Sequence, residues 1–95
     1  MITVKIKLLG VFRGISGESE VTLRPKRATV RGAIEMLTES LPQKARGLLI
    51  DRYLNDPRPN VLFLLNGKEI SVLEGLETSI KDRDELMIIP VAHGG

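Results

Sequence analysis

A chain of 95 residues, 42% hydrophobic and 27% charged, has material for one core and not for two. Its net charge of +2 and three aromatics (Phe12, Tyr53 and Phe63) offer little for holding nucleic acid, and no apolar run nears the roughly 18 residues of a membrane span. Cysteine is absent and His93 is the single histidine, which excludes disulfides, thiolate metal sites, a cysteine nucleophile and a histidine metal cluster.

The first segment, Ile2 to Leu8, alternates: Ile2, Val4, Ile6 and Leu8 on one face, Thr3, Lys5 and Lys7 on the other. That period predicts a half-buried strand. Its lysines are interleaved with apolar residues instead of preceding them, so it does not read as a signal peptide, and the cytoplasm is the expected compartment. The glycines at 10, 14 and 17 make a turn, and no helical pattern follows them as a phosphate loop requires. A second strand follows, with Val21 and Leu23 inward, to form a hairpin with the first. The basic cluster from Arg24 to Arg31 reads as a solvated turn and helix start in preference to a phosphate-binding patch.

From Thr29 the period changes. Val30, Ala33, Ile34, Leu37 and Leu41 recur at helical spacing, with Thr29 as N-cap and Pro42 as terminator. A weaker helical stretch is expected in 44–54, before a proline-rich loop at 55–60. The apolar run Val61 to Leu65 predicts a strand, and Asn66-Gly67 a tight hairpin, since both residues tolerate positive φ. Residues 71–85 are polar and irregular, with one short helical turn expected. Leu86 to Ile89 is apolar on both parities, which suits a central strand. One helix across a sheet of four or five strands is an α+β roll.

With these elements in place the chain resembles the β-grasp, ubiquitin-like sulfur-carrier family over nearly its full length, most of all its molybdopterin-synthase small-subunit branch. Phe12 to Gly17 is similar to the family's arginine-and-glycine loop. Ala28 to Leu37 is similar to its helix start, Phe63 to Ile70 to its Asn-Gly hairpin, and Ser79 to Gly95 to its acidic turn, last strand and Gly-Gly end. Three features depart from the pattern. Arg83 replaces the usual glycine between Asp82 and Asp84; a proline pair before the tail is reduced to Pro90-Val91; and the ending His93-Gly94-Gly95 resembles the ubiquitin-related modifier branch.

The resemblance implies a β-grasp domain over 1–90 and a flexible tail over 91–95. It implies a protein co-substrate instead of an enzyme, with no resident cofactor and no metal. Its partners would be an adenylating enzyme that consumes ATP, a sulfur donor protein, and the large catalytic subunit of molybdopterin synthase. Gly95 carries the chemistry: its carboxylate, inert by itself, becomes a good electrophile once adenylated and a portable sulfur nucleophile once thiocarboxylated. Gly95 has no Cβ to hinder attack, and Gly94 lets the backbone pass a narrow channel. By chance a terminal glycine pair occurs in about one chain in 200 at a usage of about 7%. Among the other tail and surface residues, His93 tunes partner binding or is incidental, and Arg13 pairs with a partner or is solvated. Met87, Ile89 and Pro90, with Phe63 from the apolar run, are the expected partner-binding residues, unless the sequence at 42–60 covers them. The acidic turn Asp82, Asp84, Glu85 reads as solvated in preference to metal-binding. Two rival functions stand beside the carrier. One is a protein modifier joined through Gly95 to lysines, combined or not with transfer-RNA thiolation; the other is a β-grasp interaction module with an inert terminus.

Overall fold

In a computed structural model, which describes residues 2–10, 13–14, 17, 19–43 and 61–90, the predicted elements occur in the expected order. Strand β1 (Val4–Leu8) buries Val4, Ile6 and Leu8 and leaves Lys5 and Lys7 on the opposite face, as its alternation requires. It pairs antiparallel with β2 (Glu20–Leu23). Val21 and Leu23, expected in the core, are only half-buried against it, because β2 is an edge strand with cover on one side.

Helix α1 (Val30–Ser40) starts where Thr29, in extended conformation, accepts a hydrogen bond from the Gly32 N–H through its Oγ1 at 3.0 Å. It ends at Leu41, whose extended backbone (φ −87°, ψ 152°) is the conformation a following proline demands. One face, with Val30, Ala33, Ile34 and Leu37, is fully buried. Burying a side chain the size of Ile34 or Leu37 stabilises by roughly 1.5–3 kcal/mol, so this face holds the helix on the sheet. The first turn is also tied to the segment before the last strand. The Val30 N–H donates to Thr78 C=O, the Ile80 N–H to Ala28 C=O, and Arg31 Nε to Glu77 Oε1 at 2.6 Å. That guanidinium holds the Glu77 carboxyl below its ordinary value.

After the helix come β3 (Val61–Leu65), β4 (Lys68–Glu69), two single 3-10 turns (Ile70–Val72 and Gly75–Glu77) and β5 (Glu85–Pro90). Asn66 and Gly67 both have positive φ, 50° and 86°, the signature of the two-residue hairpin that their dipeptide predicts. The sheet order is β2-β1-β5-β3-β4, with β1 and β5 parallel and every other pairing antiparallel. The last strand is therefore central, as its two-sided apolar pattern indicates. Among the described residues this is a mixed five-stranded sheet with the helix α1 packed across it, a β-grasp roll. The helical stretch expected in 44–54 lies outside the described residues.

Candidate functional site

Gly95, Gly94 and His93 lie outside the described residues; the structure describes the place from which they depart. Pro90 ends the central strand β5, paired with Val61 on one side and lying beside Gly10, just past β1, on the other. Among the described residues Ile88 is the last that is fully buried. Five residues, Val91 to Gly95, follow Pro90.

The face of the sheet away from the helix divides into two halves. On the β1–β2 side it is charged: Lys5 and Glu20 are 3.7 Å apart, and Lys7 and Glu85 3.4 Å. On the β3–β5 side it is apolar, because register places Leu62 opposite Ile89 and Leu64 opposite Met87, all four half-buried. Leu9, 37% exposed, follows β1 at the end where β5 delivers the tail. The apolar half thus runs along β5 toward Pro90 and the chain's last residues.

Of the expected partner-binding residues, Met87 and Ile89 are brought together on this face, with Pro90 at its end. Phe63 is not among them. It pairs with Ile88 and points into the core with 1% of its surface exposed, so the contribution of its strand to the opposite face is Leu62 and Leu64. The apolar run alone has no parity; the pairing with β5 supplies it. Arg13 is exposed in a helical segment after β1, where its C=O accepts from the Gly17 N–H at 2.9 Å.

The acidic turn has a structural task. Asp82 Oδ1 accepts from the Thr3 N–H at 2.8 Å, while Asp84 accepts from Asn66 Nδ2 and from the Lys81 N–H. Among the described residues no group of three or more metal-ligating side chains is clustered, and no helix is long and apolar enough to cross a membrane.

Comparison with known proteins agrees with this geometry. The model of the ThiS family matches residues 6–95, through the terminal glycine pair. Small archaeal modifier protein 3 of Haloferax volcanii is 27% identical over 93 residues, covering 97% of this chain and 98% of its own. The solution structure of small archaeal modifier protein 1 from Methanosarcina acetivorans is 32% identical. It superposes with a TM-score of 0.76 over all of this chain and 98% of its own. A candidate molybdopterin converting factor, subunit 1, from Pyrococcus furiosus is 22% identical with a TM-score of 0.72, over 97% of this chain and all of its own, and shares the fold.

Proposed function

This chain belongs to the ThiS family of ubiquitin-like carrier and modifier proteins, and we propose that it is a cytoplasmic sulfur carrier whose reactive group is the carboxyl of Gly95. The observation that supports the reading is the reach of the family match to residue 95, so that it takes in Gly94 and Gly95. A separate adenylating enzyme joins the carboxylate to the α-phosphate of ATP and releases pyrophosphate. The terminal sulfur of a donor persulfide then attacks the carbonyl and displaces AMP. A thiol cleaves the resulting acyl disulfide, leaving a thiocarboxylate on Gly95 and a disulfide on the donor side.

The body would dock through Leu62, Leu64, Met87 and Ile89 while the tail enters the partner's active site. From Pro90 the five last residues span at most roughly 17 Å when extended, which suits a channel leading from a docking surface. The acceptor in this reading is the large catalytic subunit of a molybdopterin synthase, where the sulfur goes to a pterin precursor; Arg13 and His93 would adjust the fit.

A second reading, conjugation of Gly95 to lysines with or without transfer-RNA thiolation, is favoured by the names of the archaeal modifier proteins that this chain resembles. Mass spectrometry separates the readings. With activating enzyme, ATP and sulfur donor, a carrier becomes about 16 Da heavier as sulfur replaces oxygen, then returns to its starting mass on transfer. A modifier yields conjugates that leave Gly-Gly on lysine. Deleting Gly95 should abolish both. Neither product from the intact chain would leave an interaction module with an inert terminus.

A further inference from the structure

The point at which β5 becomes the tail is shaped by a residue that no motif singles out. The Leu9 N–H donates to Ile88 C=O at 3.1 Å, and the Lys5 N–H to Asp84 C=O at 3.0 Å, which sets the slanted ladder between the parallel strands. The next rung would take an N–H at position 90 to the Leu9 carbonyl, and proline has none. At that level the two chains meet instead through a contact. Gly10 has φ +58°, and a Cβ built on it would lie 2.5 Å from Pro90 Cγ and 3.2 Å from Pro90 Cδ. Carbon atoms ordinarily meet at about 3.5–4.0 Å, so the ring sits where any other residue's side chain would begin.

We infer that Gly10 is a positioning residue for the tail: its bare Cα seats the Pro90 ring and so fixes the direction in which Val91 to Gly95 leave the sheet. Proline has a locked φ and a closed ring, so it cannot swing aside as a long side chain would. A Cβ at position 10 must therefore push the end of β1 and the end of β5 apart. For a tail held extended in a channel, a tilt of about 10° at Pro90 carries the Gly95 carboxyl about 3 Å over its roughly 17 Å reach. A misplacement of about 1 Å can lower a rate about 100-fold. The rate consequence rests on the reading of Gly95 as the activated group; the seating of Pro90 does not.

The test is a double-mutant cycle of Gly10→Asn and Pro90→Ala. Asparagine tolerates positive φ better than other side chains, so the first variant mainly adds the Cβ, and the second removes the ring it meets. Amide residual dipolar couplings of Ile88, Ile89 and Val91 report the exit direction. ATP–pyrophosphate exchange by the adenylating enzyme of the same organism reports activation. Gly10→Asn should rotate the Val91 vector while those of Ile88 and Ile89 stay in place, and lower kcat at least tenfold with KM within about twofold, since the docking residues then keep their positions. The double variant should be faster than Gly10→Asn alone. Unchanged couplings and kcat, or a loss that is the same with and without the ring, would overturn the inference. If Gly10→Asn does not fold, the unaltered chain decides: NOEs from the Gly10 Hα protons to the Pro90 ring are required, and their absence overturns it. An unaltered chain that is never adenylated refutes the carrier reading, while the couplings still decide the role of Gly10.

Discussion

Arg83 occupies a position built for glycine, so Arg83→Gly should stabilise the domain. Its φ is 70°, in the left-handed region, as third residue of a turn closed by the Asp84 N–H to Lys81 C=O at 3.1 Å. The turn cannot relax easily. The Arg83 N–H donates to Thr3 C=O at 2.7 Å, and the Asp82 and Asp84 carboxylates accept from Thr3 and Lys81 on either side. A residue with a Cβ in this conformation costs roughly 1–2 kcal/mol. Glycine returns roughly 0.5–1 kcal/mol of that through the greater freedom of the unfolded chain. The net gain is about 0.5–1 kcal/mol, and at roughly 4–8 °C per kcal/mol for a domain near this size the Tm should rise by about 2–8 °C. Thermal and urea unfolding followed by circular dichroism measure it, with Arg83→Ala as control. Alanine loses the guanidinium but keeps the Cβ, so it should gain much less than glycine. An Arg83→Gly variant no more stable than Arg83→Ala would show that backbone strain is not what this position costs.

Gly32 lies inside α1, where alanine is normally better by about 1 kcal/mol, yet Gly32→Ala should destabilise. A Cβ there would lie 2.4 Å from the Arg27 carbonyl oxygen and 2.9 Å from its Cβ, and a Tm above that of the unaltered chain would refute the contact. Ile34→Asp should abolish cooperative unfolding, because a charge at a fully buried site costs several kcal/mol unless paired; a folded variant would contradict the helix packing. A chain cut after Pro90 should melt within a few degrees of full length, since the fifteen core residues identified among the described ones all precede the cut, and a large drop in a thermal scan would refute this. Glu77→Gln tests the Arg31 ion pair by pH. With the Glu77 carboxyl held below 4.5 in the fold, the pair stabilises above that value and its contribution disappears as pH falls through the lowered one. The unaltered chain's small advantage in urea unfolding should therefore close on acidification and shrink with added salt, as exposed pairs do. An advantage that does not shrink as the pH is lowered would refute it.

Local periodicity was enough for most of the architecture. Alternation in Val4, Ile6 and Leu8, helical spacing from Val30 to Leu41, and the Asn66-Gly67 pair each reflect forces acting within a few residues, so each was legible in the chain. The Gly-Gly end is read on a different basis, since the role proposed for it is chemical and not conformational. The faces of β3 were not. Val61 to Leu65 is apolar throughout, and only its antiparallel register with β5 turns Phe63 inward against Ile88 and leaves Leu62 and Leu64 beside Met87 and Ile89. Val21 and Leu23 have the right period for a core, but half-burial follows from the place of β2 at the sheet edge. Gly10 and Gly32 look like any other glycines in the sequence. Their constraint comes from Pro90, eighty residues away, and from the Arg27 carbonyl folded back onto the helix. A repeating pattern of side chains can specify that a segment has two faces. Which face meets the core, and which backbone must come close enough to exclude a Cβ, is settled by partners distant in the chain, and so by the tertiary structure alone.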